Sequence, residues 1–261
     1  MFFVAQGSRL DKECPAGQAE FHLDMHFRID QWRAWAPGLD NTDKWLAWSR
    51  APECLLDTGE QPDVSFLPAL QRRRLSRLAR MVFQVGWPLA EGHSELPLVY
   101  ISRHGETPRS LSILQDLAAT EPLSPTQFSL SVHNAIIGQW SILRADTSEM
   151  TALAGEGDGL EMGMLEAATL LAEGAPAVLL MIGEEAQPAL YAPFIEDVPF
   201  PYALALLLVP GDDWNLQLHK GTGARAAWPH PLSLIQSLCN GCETLEHTWK
   251  ERQWTWSRKI P

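Results

Sequence analysis

Several short segments of this 261-residue chain carry residue types that can do chemistry. Cys239-Asn240-Gly241-Cys242 sets two thiols at the spacing of a metal knuckle or a redox pair. There is no second C-x-x-C, and only His230 and His247 lie near in sequence, so a four-ligand zinc site is not spelled out. A redox pair opens a helix, whereas this one closes a helix. The thiols therefore read as incidental, and neither a metal nor a cofactor is expected. Ser131-Val132-His133-Asn134 puts a serine near a histidine, but residues so close on one helix point in different directions and do not pair as nucleophile and base. Gly155-Glu156-Gly157-Asp158-Gly159 has the look of a phosphate cradle at a helix start. It lacks a P-loop lysine and dinucleotide spacing, and its two acids would repel phosphate. It reads as a sharp strand-to-helix turn.

Arg103-His104-Gly105-Glu106-Thr107 follows an apolar segment that reads as a strand. A strand followed by R-H-G-E resembles the histidine phosphatase superfamily. That resemblance implies a phosphohydrolase in which His104 is phosphorylated, Arg103 neutralises the phosphoryl group, and His219 is the second histidine. Two features depart from it. About a hundred residues precede the motif, and His219 lacks a glycine-flanked context.

The elements that would position these groups follow from hydrophobic spacing. Trp32/Trp35 and Trp45/Trp48 form two W-x-x-W pairs, each expected on one side of a helical turn within an aromatic cluster. Residues 70–85 read as one amphipathic helix, with Leu75, Leu78, Val82 and Val85 on one face and Arg73, Arg77 and Arg80 opposite. Residues 96–102 read as a strand and 107–119 as a helix. Ser124-Pro125-Thr126-Gln127 is a helix-start signature leading into a helix over 128–143. Residues 160–173 form another helix, which Gly174 ends. Residues 177–182 and 202–209 are continuous apolar runs of the kind buried on both faces of a sheet. Residues 214–219 read as a further strand, paired with the second run through a turn at 210–213. Residues 232–239 look helical, and 253–257 alternate like an edge strand. Helices alternating with buried strands mean α/β. Residues 1–24 read as a loosely attached N-terminal extension, and 25–261 as one domain.

A hydrophobic content of 46% provides a full core and excludes disordered and collagen-like classes. A net charge of −12 argues against nucleic acid or an anionic membrane as a partner. The longest apolar run, 203–209, is too short to span a bilayer. Four scattered cysteines are no disulfide framework, so the cytoplasm is the expected compartment.

The order of the segments carries more than any one of them. Residues 124–143 (SPTQFSLSVHNAIIGQWSIL), the turn at 155–159, the helix over 160–173 and then 174–183 (GAPAVLLMIG) resemble the N-terminal half of a β-ketoacyl synthase. Asn134 and Gly138 sit where that family has its Asn and Gly. WRAWAPGL at 32–39, QRRRLSRLAR at 71–80, SRHGE at 102–106 and the terminal W-x-W are similar to a narrower group, the short ketosynthase-like chain-length factors of aryl polyene biosynthesis. The resemblance covers residues 25 to 258. It implies a truncated thiolase-like α/β fold with helices packed on a mixed sheet, and it makes R-H-G-E a family feature.

Carried over without gaps, the family's nucleophilic cysteine falls at about Gly157, and Cys14, Cys54, Cys239 and Cys242 lie elsewhere. The histidine pair of active ketosynthases belongs to a second half for which this chain has no room. The resemblance thus implies no acyl-enzyme here. It implies a partner subunit that pairs with a catalytic ketosynthase and helps wall the tunnel for a chain carried on an acyl carrier protein. Asn134, Gly138, Trp140, Glu156, Gly157, Met162 and Met164 are the candidate tunnel and interface residues, and Arg73, Arg77 and Arg80 the candidate carrier-docking residues. The alternatives are the phosphohydrolase above and an acyl-transfer enzyme using a different nucleophile.

Overall fold

Residues 23–35 alternate in burial as a strand requires: Met25 and Phe27 are buried, whereas Asp24, His26 and Arg28 face solvent. This computed structural model describes residues 23–223 and 226–259, so the expected extension, apart from its last two residues, lies outside the described residues. The segment is β1 (Leu23–Trp35), not the helical turn that the Trp32/Trp35 spacing suggests. A register shift between Ile29 and Gln31 adds one residue, which keeps Trp32 and Ala34 on the same face as Phe27 and sends Trp35 to the other. Trp45 and Trp48 do sit on a helix, α1 (Thr42–Arg50), edge to face at 5.5 Å.

The helix expected over 70–85 is two. α2 (Ala69–Arg72) stops, and α3 (Arg77–Gly86) restarts at Ser76, whose Oγ accepts the Ala79 amide at 3.0 Å. β2 (Leu98–Ile101) and α4 (Thr107–Ala118) match their patterns. Ser124 caps α5 (Pro125–Ser129), but that helix ends after five residues. The hydroxyls of Ser129 and Ser131 bond back to the carbonyls of Pro125 and Phe128 there, and α6 (Ala135–Arg144) begins afresh. β3 (Met150–Leu153), α7 (Gly159–Ala172) and β4 (Val178–Glu184) follow. The two apolar segments at 202–209 and 214–219 are one strand, β5 (Tyr202–Lys220), not a hairpin. Val209 pairs with Arg28 and Trp214 with Phe27, so residues 210–213 bulge out of an otherwise continuous strand. α8 (His230–Asn240), β6 (Thr244–Trp249) and β7 (Arg252–Arg258) complete the chain.

The seven strands make one mixed sheet in the order β3-β2-β4-β5-β7-β6, with β1 beside β5. β3, β2 and β4 are parallel, and β5 runs antiparallel to β4, β7 and β1. β7 lies between β5 and β6, so the terminal segment is interior and β6 is the edge. Alternate residues of β2, β4 and β5 feed two cores. Val99, Ile101, Leu180, Ile182, Leu204 and Leu206 join α1, α7 and α8. Leu98, Tyr100, Leu179, Met181, Ala203 and Ala205 join α3 and α6 on the other face. Gly163 lets α7 lie close on the sheet, since a Cβ there would come within 2.4 Å of Ile101 Cδ1.

Two candidate tunnel residues are core instead. Met164 is fully buried under α7. Trp140 is fully buried, edge to face with Phe83 and Trp87, each at 5.3 Å. Neither presents surface to a partner. Gly138, on the same helix as Trp140, is exposed with open space where a side chain would go. Urea denaturation of the isolated chain should separate the two positions. Trp140→Ala is expected to lose about 3–5 kcal/mol, and Gly138→Ala to gain ~0.5–1 kcal/mol from helix propensity.

Candidate functional site

The turn between β3 and α7 is closed by the β6–β7 hairpin. Asp158, which precedes the first residue of α7 and is buried, accepts from Arg252 Nε at 2.6 Å and Nη2 at 2.9 Å, and from Trp254 Nε1 at 3.0 Å. Glu156, on the exposed side, takes Trp249 Nε1 at 3.0 Å and Lys250 Nζ at 2.6 Å. The Trp249 ring fills the space of a side chain at Gly157: a Cβ there would lie 2.2 Å from its Cε3. Residues 155–159 thus form the sharp turn expected, an elbow between β3 and α7 at the place where the resemblance sets the family's nucleophilic cysteine. A cleft of about 290 Å³ opens beside it, lined by Gly155, Gly157, Arg103, Glu184, His230 and Trp249 among others. Cys54, Cys239 and Cys242 do not line it.

Arg103, the first residue of the R-H-G-E segment, lines the cleft with Glu184 and Asp197. Glu184, buried at the end of β4, accepts from Ser102 Oγ at 3.2 Å, from the His104 amide at 3.3 Å and from the Arg103 amide. Burial raises its carboxyl to about 7 in spite of those donors. Asp197 takes Arg103 Nη1 at 2.8 Å and lies 3.0 Å from His104 Nε2. Burial would raise Asp197, but the His104 hydrogen bond and the Arg103 guanidinium hold it at about 2. Glu106 is buried against Ser76 Oγ and Arg109 Nε. Each group of the motif is committed within the chain. His219 sits near the end of β5 on the face opposite Leu218 and Trp254, away from His104. The fold does not bring the two histidines together as a phosphohydrolase would need.

Deeper under the turn, Glu161 is fully buried. His230 Nδ1 lies 2.9 Å from its Oε2, His247 Nδ1 contacts its Oε1, and Trp256 Nε1 donates to Oε1 at 3.1 Å. The imidazoles stack at 3.7 Å. Burial opposes ionisation of Glu161, yet the two imidazoles hold its carboxyl well below the usual range. Burial lowers His247 in spite of the neighbouring Glu161 carboxylate. Sequence reading missed this trio, because its members lie 69 and 86 residues apart on three elements. The only sequence signal was the two histidines that flank the C-x-x-C.

The remaining expected residues scatter. Asn134 is exposed at the start of α6, and Met162 is half-buried on α7. The break between α2 and α3 splits the arginine face. Arg73 stays exposed, Arg77 forks onto Asp57 at 2.6 and 2.8 Å, and Arg80 Nη2 donates to the Arg72 carbonyl at 2.7 Å. Among the described residues no helix is long and apolar enough to cross a membrane.

The sequence matches the family described as β-ketoacyl synthase, N-terminal domain, over residues 45–257. No curated protein matches it. The fold is similar to a chain of the structure of ketosynthase ApeO in complex with its chain length factor ApeC from Xenorhabdus doucetiae. Identity is 32%, the TM-score is 0.80, and the match covers 90% of this chain and 100% of that one. It is also similar to the ishigamide ketosynthase/chain length factor (14% identity, TM-score 0.56, 76% of this chain and 67% of that one). A β-ketoacyl synthase from Burkholderia phymatum follows at 11% identity and TM-score 0.55, covering 84% of this chain and 71% of that one. The likeness fixes the fold as thiolase-like and ketosynthase-like, in a shortened form.

The Glu184 environment has a measurable consequence. With its carboxyl raised from about 4.5 to about 7, the folded chain binds more protons than the unfolded one between those values. Its contribution to stability is therefore full below pH ~4.5 and lost as pH rises through ~7. His247, lowered by burial, acts in the opposite sense as pH falls below ~6.5. Comparing melting curves of the native chain and Glu184→Gln from pH 5 to 8 isolates the first effect. The stability difference between the two should shift in favour of the variant as pH rises across that window.

Proposed function

This chain belongs to the β-ketoacyl synthase N-terminal domain family, and on that premise we propose that it is a non-catalytic, chain-length-factor partner of a ketosynthase. Gly157 carries the reading. A condensing enzyme needs a thiolate at this turn, where the α7 N-terminus would favour the anion. The position holds glycine, and the Trp249 indole takes up the room a nucleophile's Cβ would need. The whole-length likeness to a chain of a ketosynthase–chain-length-factor complex supports the partner role.

The geometry offers a surface for such a partner. β3 ends the sheet, and its outer edge meets no strand among the described residues. The Leu98 amide bonds to the Glu149 carbonyl and the Ser102 amide to that of Leu153, so the odd-numbered groups face β2. Those of Met150 and Ala152 therefore point outward, unpaired by β2. All four β3 residues are only half-buried. α6, which packs against β3, leaves Ile142 80% exposed, and α5 before it in the chain leaves Phe128 62% exposed, which is costly for groups that stay in water. An open strand edge beside a helix with an exposed aliphatic group suits strand-to-strand pairing with a second thiolase-like subunit. The pair would elongate a polyene-type acyl chain on an acyl carrier protein. This subunit would help bound the tunnel, and exposed Arg73 is the free arginine of the three that could meet the acidic carrier.

Co-expression with a ketosynthase encoded nearby should yield a one-to-one complex by native mass spectrometry. Ala152→Pro, which removes an outward-facing amide at the edge, should weaken that complex while the isolated chain keeps its circular dichroism. A chain that remains monomeric beside every ketosynthase offered sinks the partner reading. A thiol-directed ketosynthase inhibitor should label the partner only. An acyl or inhibitor adduct near Gly157 of this chain would contradict the non-catalytic reading.

A further inference from the structure

The buried trio under the elbow is built differently from the chain's other acid clusters. Its carboxylate is fully buried, yet its ion-pair partners among the described residues are two imidazoles and no arginine or lysine. Asp158, three residues earlier, shows the ordinary solution, a forked arginine. A neutral imidazole does not offset a carboxylate charge out of water, and neither ring carries a fixed charge as the Arg252 guanidinium on Asp158 does. Both rings nonetheless turn the same nitrogen, Nδ1, toward the two oxygens of one carboxylate, and they lie stacked face to face to do so. His247 Nε2 is buried with no hydrogen-bond partner, so Nδ1 is the ring's one engaged atom.

We propose that Glu161, His230 and His247 form a binding site for a divalent transition ion, zinc by its donor set. One oxygen and two imidazole nitrogens, all within 4.8 Å of one another, make a two-histidine, one-carboxylate set. Trp256 Nε1–H on Oε1 supplies the hydrogen bond that ordinarily orients a ligating carboxylate from outside the coordination sphere. The present nitrogen–oxygen separations are hydrogen-bond lengths. Coordination uses the lone pair of each Nδ1 in place of its hydrogen bond and moves the groups apart to the roughly 3.3 Å that two metal–ligand bonds of about 2.0–2.1 Å span at a tetrahedral angle, a wider opening at the His247 contact than at the 2.9 Å His230 contact. The proton that each neutral ring carries on Nδ1 passes to its Nε2, so each ligand stays a neutral imidazole, and the ion supplies the positive charge the carboxylate lacks. His230 also lines the elbow cleft, so a water could complete the coordination from that side. The three ligands come from α7, α8 and β6, and the ion would pin the elbow helix to the two elements that follow the long strand.

The test is metal analysis of the full chain, purified without a histidine tag and without chelator. About one zinc, iron or cobalt per chain is expected. Cobalt(II) titrated into chelator-stripped protein should give visible absorption bands with histidine coordination. Zinc at a hundredfold excess over its dissociation constant should raise the melting temperature by about 5–10 °C. Glu161→Gln should abolish the cobalt spectrum. His230→Ala, at the cleft side of the cluster, does the same should the first variant fail to fold. His219→Ala, a histidine elsewhere in the fold, should change nothing. A metal-free native chain that shows neither a cobalt spectrum nor a zinc-dependent melting shift overturns the proposal. So does metal retained equally by Glu161→Gln and His230→Ala.

Discussion

The turn at 155–159 closes because an indole and a guanidinium close it. Trp249 packs on Gly157, and Arg252 grips Asp158, so the first turn of α7 is held by a hairpin nearly a hundred residues later in the chain. This clasp decides what the turn can be. It leaves no room for a side chain at 157, where a Cβ would lie 2.2 Å from Trp249 Cε3. It also sets the direction of α7, whose Gly163 must lie almost on Ile101. A helix tilted away by even a side chain's width would open the core formed by Ile101, Leu160, Met164 and Leu180.

β5 carries that constraint across the molecule. Its first half lies between β4 and β1, and its second half between β1 and β7. One strand thereby joins the parallel set bearing the elbow to the hairpin that clasps it. The four-residue bulge at 210–213 lets the strand bend without breaking its pairing with β1. Pro210, Gly211 and the two aspartates that follow are what a turn looks like in sequence, and the same residues serve a bulge when a third strand holds both flanks in line.

That distinction marks where sequence reading stops. Pattern within one element was readable: the starts of α5 and α7, the end of α7 at Gly174, the buried run of β4, and the glycine-rich turn as a turn. The order of motifs was enough to identify the family. What depended on distant partners was not. Trp32 and Trp35 fit a helical turn until β5 pairs with them and sends the rings to opposite faces. Residues 70–85 fit one helix until Ser76 binds both the Ala79 amide and buried Glu106. Trp140 and Met164 have the size of tunnel residues, but only the packing shows that their neighbours are within the chain. The Glu161 trio left almost no trace, because no local spacing encodes a contact between α7, α8 and β6.

The acids follow one rule with different outcomes. Glu184, Asp158 and Glu161 are all buried near the cleft, and each has been given donors. Backbone amides satisfy Glu184 geometrically but bring no full charge, so its proton is held up to about neutrality. Arg252 brings a full charge to Asp158. Glu161 receives two imidazoles, which carry a charge only with a proton or an ion attached. R-H-G-E belongs to the same scheme: Arg103 and His104 are spent on Asp197, and their amides on Glu184. Residues that in isolation spell phosphate chemistry here hold Asp197 and Glu184 beside a cleft that Arg103 lines. The buried polar groups of this elbow are thus directed at one another.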